Sequence, residues 1–126
     1  MSGSFLIADD SEAKMMLLTL MLRKAKWEGT MYKAYSTDEA KKMIDDHPDI
    51  AFAFIDYYMH REFGPAVIRY LKSKNPAARI ALVSSSDKQS NCEEAKAAGA
   101  ETCICTTYQM DEVERRLMDI LVEWRR

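Results

Sequence analysis

Short apolar runs alternate with longer segments of helical periodicity along the chain. The apolar runs are predicted strands, and they lie at residues 4–8, 30–35, 50–55, 79–83 and 102–105. The segments whose apolar positions recur three and four residues apart are predicted helices, at residues 11–27, 37–46, 65–74, 90–98 and 110–124. The pattern therefore predicts five successive strand–helix units.

Local signals mark several of the helix ends. The Ser-x-x-Glu spacing at residues 36–39 and 90–93 is the capping-box pattern, in which the two side chains satisfy exposed backbone donors at a helix start. Pro65 suits the first helical position, and Gly99 suits the residue just past a helix end. Strands that alternate with helices predict an α/β fold, a doubly wound parallel sheet covered on both faces, and the wholly apolar run 52–55 agrees with burial on both sides.

Composition and charge narrow the functional classes. The 126 residues are enough for one domain over 1–126, and the net charge of −2 argues against direct nucleic-acid binding. No apolar run approaches the roughly 18 residues of a membrane span, and the N-terminus lacks the basic region of a signal peptide. Three cysteines without framework spacing favour a reducing compartment, so we expect a cytoplasmic protein.

Acidic residues follow two of the predicted strands. Asp9 and Asp10 come after the first strand, and Asp56 ends the third. The carboxyl ends of parallel strands share one edge of the sheet, where α/β proteins bind ligands. A divalent cation such as Mg²⁺ would relieve the repulsion among converging carboxylates, and a carboxylate beside it can attack phosphorus. The alternative is that these are surface residues that cap helices, with Asp10 as the cap of the first; Asp56, at the end of a wholly apolar strand, favours a site.

These residues, in their order and spacing, resemble the receiver domain of two-component response regulators, the CheY-like superfamily, and the resemblance covers essentially the whole chain. The matching positions are Asp9, Asp10, Asp56 with Met59 and Gly64 three and eight residues beyond it, Ser84, and the small-residue turn at 97–100. The resemblance implies a (βα)5 flavodoxin-like sheet with strand order 2-1-3-4-5.

The resemblance also implies residue roles and partners. Asp56 would accept a phosphoryl group from a histidine kinase or a histidine phosphotransfer protein. Asp10, Asp56 and the main-chain carbonyl of Tyr58 would bind Mg²⁺ directly, Asp9 would help through water, and the Ser84 hydroxyl would bind a phosphoryl oxygen. The domain would act as a signalling module, not as an enzyme, towards a downstream protein that the sequence does not identify.

Four positions depart from the family pattern. Thr106 stands where the family has an invariant Lys that pairs with the phosphoryl group, and Thr107 stands where a Pro usually follows. His60 replaces another usual Pro, and Cys103 replaces the switch aromatic of the fifth strand. Lys88 is the nearest basic residue in sequence to the serines after the fourth strand, and it is a candidate for the missing charge.

Three functions remain open from the residues. The retained carboxylates favour an atypical receiver that is still phosphorylated. The missing Lys supports the alternative of a phosphorylation-independent interaction module. A metal-dependent phosphohydrolase is a third possibility, but no Asp-x-Asp pair follows the first strand.

The first predicted helix has two apolar stripes. The core stripe comprises Lys14, Leu18, Met21, Leu22 and Ala25, while Met16 and Leu20 fall nearly opposite it. Met16 and Leu20 are either tolerated exposed residues or a partner surface, and in receivers this helix is a common docking site for the phosphoryl donor; a homodimer is also possible. Cys103 and Cys105 share one face of a strand, and we expect buried structural thiols, since no His or Cys completes a metal set.

Overall fold

The computed structural model describes residues 3–126, and it consists of five strands and five helices in strict alternation. The strands are β1 Phe5–Ala8, β2 Met31–Ala34, β3 Phe52–Ile55, β4 Arg79–Ser84 and β5 Thr102–Cys105. The helices are α1 Glu12–Lys24, α2 Thr37–Asp46, α3 Gly64–Lys74, α4 Gln89–Ala98 and α5 Met110–Trp124. The predicted α/β alternation is confirmed, with strand ends shifted by one or two residues.

All strand pairs in the sheet are parallel, in the order β2-β1-β3-β4-β5. The implied strand order 2-1-3-4-5 is therefore confirmed. The order in which successive strands are added to the sheet reverses between β1 and β3. The register of these two strands pairs Ala8 with Ile55. Asp9 and Asp56 are thus the next residues on two neighbouring strands, at the carboxyl edge of the sheet, where doubly wound folds bind ligands.

Two apolar cores lie on the two faces of the sheet, because successive side chains of a strand point to opposite sides. One core, from Leu6, Ile55 and Ile80, packs against α2, α3 and α4. The other, from Phe5, Phe54 and Val83, packs against α1 and α5. This double burial explains why the central strands are almost continuously apolar.

The helix ends agree only partly with the predicted signals. Ser36 caps α2 by accepting a hydrogen bond from the Glu39 amide, and Gly99 ends α4 with a positive φ of 128°. The capping box predicted at 90–93 is wrong, because α4 begins one residue earlier, at Gln89, without a side-chain cap. No helix among residues 3–126 is long and apolar enough to cross a membrane.

Helix α1 places its residues largely as the periodicity predicts. Leu18, Met21 and Leu22 are buried against the sheet, whereas Met16 and Leu20 are 66% and 47% exposed. Met15 is also buried. Lys14 lies on the core-facing stripe too, but at its end beside the carboxyl edge of the sheet, so its ammonium reaches the acidic residues.

Candidate functional site

Three carboxylates converge at the carboxyl edge of β1 and β3. An oxygen from each of Asp9, Asp10 and Asp56 lies within 4.8 Å of the others. Asp9 and Asp56 are buried, and Asp10 is exposed. Their main chains continue the sheet, since the Asp9 amide donates to the Ala34 carbonyl at 3.0 Å and the Asp56 amide to the Ala8 carbonyl at 2.9 Å. The strand ends therefore hold both buried carboxylates in fixed positions.

Helix α1 starts immediately beyond the acidic pair, and its cap is Ser11. The Ser11 hydroxyl accepts a hydrogen bond from the Lys14 amide at 3.2 Å, and Asp9 Oδ1 accepts one from the Ser11 amide at 2.8 Å. The alternative that Asp10 caps this helix is therefore wrong. Asp10 remains exposed with its carboxylate beside the other two.

Lys14 pairs with both buried carboxylates. Its Nζ lies 3.0 Å from Asp9 Oδ2 and 2.9 Å from Asp56 Oδ1, and it donates a hydrogen bond to the Val83 carbonyl at 3.3 Å. Sequence reasoning placed Lys14 on the core-facing stripe and drew no consequence from it. A basic residue on an apolar stripe, one turn beyond an acidic pair, was the signal that could have identified this contact.

Burial sets the protonation of the two carboxylates. Desolvation raises the pKa of Asp9 to about 6, against the opposing effect of the Lys14 ammonium. Burial also raises the pKa of Asp56, again opposed by Lys14. Both acids thus lie in an environment that disfavours uncompensated negative charge.

The donor set fits a divalent cation of the Mg²⁺ type. Asp9 Oδ2 is fully buried and accepts no hydrogen bond among the described residues, so it remains available to a further cation or to ordered water. Carboxylate oxygens are the ligands that hard cations prefer. Asp10 and Asp56 would hold such a cation directly, and the cation would supply positive charge for chemistry at Asp56.

The loop after β3 is folded tightly around Asp56. Asp56 Oδ1 accepts a hydrogen bond from the Tyr57 amide at 2.9 Å, and the Gly64 amide donates to the Tyr57 carbonyl at 2.7 Å. A Cβ built on Gly64 would lie 2.1 Å from the main-chain oxygen of Asp56, so only glycine fits this approach. Tyr58 forms an antiparallel bridge with Phe63, which closes the loop and sets the direction of the Tyr58 backbone.

Two tyrosines beside Asp56 extend from this loop to α4. The Tyr57 hydroxyl donates to Glu94 Oε1 at 2.6 Å, and this bond raises the pKa of Tyr57 to about 12. Asn91 Nδ2 donates to the Tyr58 hydroxyl at 3.2 Å. Sequence reasoning missed both contacts, because nothing in the local pattern shows which helix a loop side chain will reach.

Ser84 ends β4 on the same edge and is buried. Its hydroxyl accepts a hydrogen bond from the Ser86 amide at 3.2 Å, so its own proton remains to be donated. The Thr106 amide donates to the Ser84 carbonyl at 2.9 Å. No hydrogen bond among residues 3–126 joins the Thr106 side chain to the carboxylates.

The cysteines differ from expectation. Cys103 forms a disulfide with Cys92 of α4, so the expectation that Cys103 is a structural thiol is wrong. Cys105, two residues along the strand, is a free thiol and partly buried. Cys92 was not singled out, since an eleven-residue separation across a helix and a strand carries no framework spacing.

Lys88 does not supply the missing charge. Its side chain is exposed at the start of α4, and its charge acts on the Tyr58 hydroxyl, whose pKa is lowered chiefly by Asn91 and also by Lys88. No ion pair joins Lys88 to a carboxylate within the described part of the chain. Lys14 is the basic residue that contacts the acidic site.

The family described as the response regulator receiver domain matches residues 5–118. A search of curated protein sequences found no match.

Solved structures with the same fold come from several organisms. A CheX–CheY–BeF3–Mg²⁺ complex from Borrelia burgdorferi matches with a TM-score of 0.78 and 23% identity, over 93% of this chain and 87% of that one. A CheY-like receiver protein from Methanospirillum hungatei JF-1 matches with a TM-score of 0.80 and 17% identity, over 99% and 98%. A response regulator from Burkholderia pseudomallei, with a phosphorylated aspartic acid, calcium and citrate, matches with a TM-score of 0.77 and 21% identity, over 98% and 71%.

Proposed function

The chain belongs to the family of response regulator receiver domains, and on that premise we propose that it is a phosphorylated signalling module with Asp56 as the acceptor. The single observation that carries the proposal is the acidic cluster: a buried carboxylate at the end of a central strand with two further carboxylates within 4.8 Å. The domain extends over 1–126 in this proposal, and a cytoplasmic location stays a prediction.

The two oxygens of Asp56 have different surroundings. Oδ1 accepts hydrogen bonds from the Tyr57 amide and the Lys14 ammonium. Oδ2 makes no hydrogen bond among residues 3–126, and it is not one of the fully buried unpartnered atoms, so it keeps contact with solvent. Oδ2 is thus the oxygen free to form a bond to phosphorus, while Oδ1 is held in place.

The proposed reaction is transfer from a phosphohistidine of a histidine kinase or a histidine phosphotransfer protein. An O–P bond forms at Asp56 Oδ2 while the N–P bond of the donor breaks, and the released imidazole nitrogen takes up a proton. Bound Mg²⁺ would supply positive charge at the transferring oxygens. The Ser84 hydroxyl, whose proton is free, would donate to a phosphoryl oxygen.

The choice of Mg²⁺ and of its ligands belongs to this proposal. Asp10, Asp56 and the Tyr58 carbonyl would bind the ion directly, with Asp9 acting through water. Among the structurally similar proteins, the complex from B. burgdorferi holds Mg²⁺ with BeF3, and the B. pseudomallei protein holds calcium with a phosphorylated aspartic acid. Oxygen donors at this cluster suit either ion.

Met16 and Leu20 are proposed as a partner surface for the phosphoryl donor or for a second copy of the chain. Both side chains are exposed and lie four residues apart on α1, the helix that begins just after Asp10. Their replacement by Gln should weaken transfer from the cognate kinase or self-association, with folding unchanged. A large loss of thermal stability would contradict the surface placement.

Intact-mass measurement after incubation with acetyl phosphate and Mg²⁺ tests the acceptor. The wild type should gain the mass of one phosphoryl group, and Asp56→Asn should gain none. Asp49→Asn is the matched control, because Asp49 is an exposed aspartate just before β3, at the opposite end of the same strand.

Failure of the wild type to take up phosphate would favour the alternative, a phosphorylation-independent interaction module. The replacement of the usual Lys by Thr106 is the observation that supports this alternative. Uptake that persists in Asp56→Asn would show that Asp56 is not the acceptor.

A further inference from the structure

The acidic cluster contains a cation of its own. Lys14 reaches it from α1, with a side chain only 14% exposed, and contacts carboxylates from the ends of both β1 and β3. It also donates to the Val83 carbonyl at the end of β4. One ammonium therefore joins three neighbouring strand ends at the point where phosphoryl charge would gather.

A buried lysine with these contacts is not a surface ion pair. Most exposed pairs contribute little, because water screens them and the side chains lose entropy. Here Asp9 and Asp56 are buried, and the ammonium is the basic group that contacts either of them within residues 3–126. Its position is therefore fixed by charge as well as by the packing of α1.

The fifth strand offers no equivalent charge. Thr106 carries no cation, and the loop that it begins is tied to β4 through its main chain. Lys88 lies exposed at the start of α4, where its charge acts on the Tyr58 hydroxyl.

We propose that Lys14 is the phosphoryl-binding cation of this domain, a role that it performs from α1 in place of a lysine at position 106. This inference rests on the proposed function, because it assigns a second residue to the same site. Phosphorylation turns the Asp56 carboxylate into an uncharged acyl group and adds a dianionic phosphoryl group within reach of the ammonium. Lys14 then exchanges its contact with Asp56 Oδ1 for a phosphoryl oxygen, while its contact with Asp9 holds the ammonium at the site.

The geometry allows this exchange without movement of the helix. A lysine ammonium has three donors on a flexible four-carbon stem. The Lys14 ammonium donates two hydrogen bonds, to Asp56 Oδ1 and to the Val83 carbonyl. Its 3.0 Å contact with Asp9 Oδ2 is an ion pair without hydrogen-bond geometry. The ammonium thus keeps donor capacity for an incoming oxygen.

Affinity for beryllofluoride, a phosphoryl mimic, tests the proposal at saturating Mg²⁺. Calorimetric titrations should compare the wild type with Lys14→Met, Lys14→Arg and Lys24→Met. Lys24 is the matched control, since it is a half-exposed lysine of the same helix that pairs with Glu114 away from the site. Mg²⁺ affinity without the mimic is measured in parallel, and circular dichroism checks folding.

Lys14→Met should bind the mimic about 10- to 100-fold more weakly than the wild type, the range of one charge-assisted hydrogen bond. Its Mg²⁺ affinity should be unchanged or higher, because the metal loses a competing cation. Lys14→Arg should retain most of the mimic affinity, and Lys24→Met all of it. If Lys14→Met fails to fold, Lys14→Gln replaces it, because its neutral amide can still donate to the Val83 carbonyl, and it should show a similar loss of mimic affinity.

Equal mimic affinity in the wild type and Lys14→Met would overturn the inference and leave the acceptor assignment intact. A rise in Mg²⁺ affinity with no loss of mimic affinity would overturn it too, because Lys14 would then be a counter-ion alone. Absence of mimic binding in the wild type would refute the proposed function itself, and the role of Lys14 with it.

Discussion

The carboxyl edge of the sheet has two parts that are built differently. The acceptor end, named for the proposed role of Asp56, is formed by Asp9, Asp56 and Lys14 at the ends of β1 and β3, and it consists of buried charges joined by ion pairs. The β5 end, formed by Ser84, Thr106 and the Cys92–Cys103 disulfide, consists of neutral groups that bond locally. At the acceptor end the charges depend on one another, whereas at the β5 end a covalent bond ties the strand to α4.

The part of the edge where phosphoryl chemistry is proposed therefore differs from the part that would pass a structural change on to β5 and α4. In the proposed reaction, the phosphoryl group would add negative charge beside the Lys14 ammonium. The β5 end has neither the lysine nor the aromatic side chain that the family pattern places there, and its disulfide limits how far β5 can move from α4. Contacts from the loop after β3, such as the hydrogen bond from Tyr57 to Glu94, are instead the direct links from the acceptor to α4.

Crowding the acceptor end should have the greatest effect on stability. Gly64→Ala puts a Cβ 2.1 Å from the main-chain oxygen of Asp56, and the backbone must move to relieve the clash. We expect a loss of roughly 3 kcal/mol in the free energy of unfolding, measured by urea denaturation, together with weaker Mg²⁺ binding. Gly3→Ala is the comparison, because its Cβ meets only side chains, of Ala51 and Phe52; an equal loss in both variants would contradict the special role of Gly64.

Breaking the disulfide tests the β5 end. The bond closes a short loop, and loop-closure entropy predicts a loss of about 2–3 kcal/mol when Cys92→Ala and Cys103→Ala are combined, measured in the absence of reductant. Phosphoryl uptake at Asp56 should be unchanged, since the acceptor end does not contact the disulfide. Cys105→Ala, which removes the free thiol, is the control. If reductant does not change the stability of the wild type, the disulfide does not form in solution.

A lysine introduced at position 106 allows a cation at the β5 end to be compared with Lys14 at the acceptor end. Thr106→Lys should strengthen mimic binding by roughly 1.5–3 kcal/mol when Lys14 is replaced by Met, the value of one charge-assisted hydrogen bond. In the presence of Lys14 the gain should be smaller, because two ammonium groups compete for one phosphoryl group. A double-mutant cycle measures this coupling, and additive gains would show that the two positions act independently. Thr107→Pro added to Thr106→Lys tests whether the backbone limits the effect.

The smallest expected effect is a pH dependence at the acceptor end. Burial raises the pKa of Asp9 to about 6 in the folded state, so the folded protein holds this proton to a higher pH than the unfolded chain does. Stability from this group therefore falls as the pH rises through the interval between its unfolded and folded pKa values. Asparagine at position 9 does not titrate. The free energy of unfolding of Asp9→Asn, taken relative to that of the wild type, should therefore rise by about 1 kcal/mol from pH 5 to pH 8 in the absence of divalent ions.

Urea denaturation at the two pH values measures this difference, with Asp49→Asn as the exposed control. Excess Mg²⁺ at pH 8 should reduce it, because a bound cation compensates the buried charge. A difference between Asp9→Asn and the wild type that does not change with pH would contradict the assignment of the titration to Asp9.

The order of the strands and helices, and the edge of the sheet on which the acidic residues lie, followed from the sequence pattern. The wholly apolar run Phe52–Ile55 agrees with a strand of a sheet covered on both faces, and such a strand places the next residue, Asp56, at the carboxyl edge of the sheet. The exposure of Met16 and Leu20 also followed from helical spacing, since their angular positions on α1 are set by the residue count alone.

The contacts between side chains of different elements could not be predicted from the sequence, because they depend on how the elements pack. Lys14 was placed on the correct face of α1, but whether its ammonium reached Asp56, 42 residues away, depended on how the helix lies along the sheet. The Cys92–Cys103 bond and the reach of Tyr57 to Glu94 depended in the same way on the packing of α4. Periodicity determines which face of its own helix or strand a side chain occupies. The residue that it contacts depends on distances between elements, and the local sequence pattern does not contain those distances.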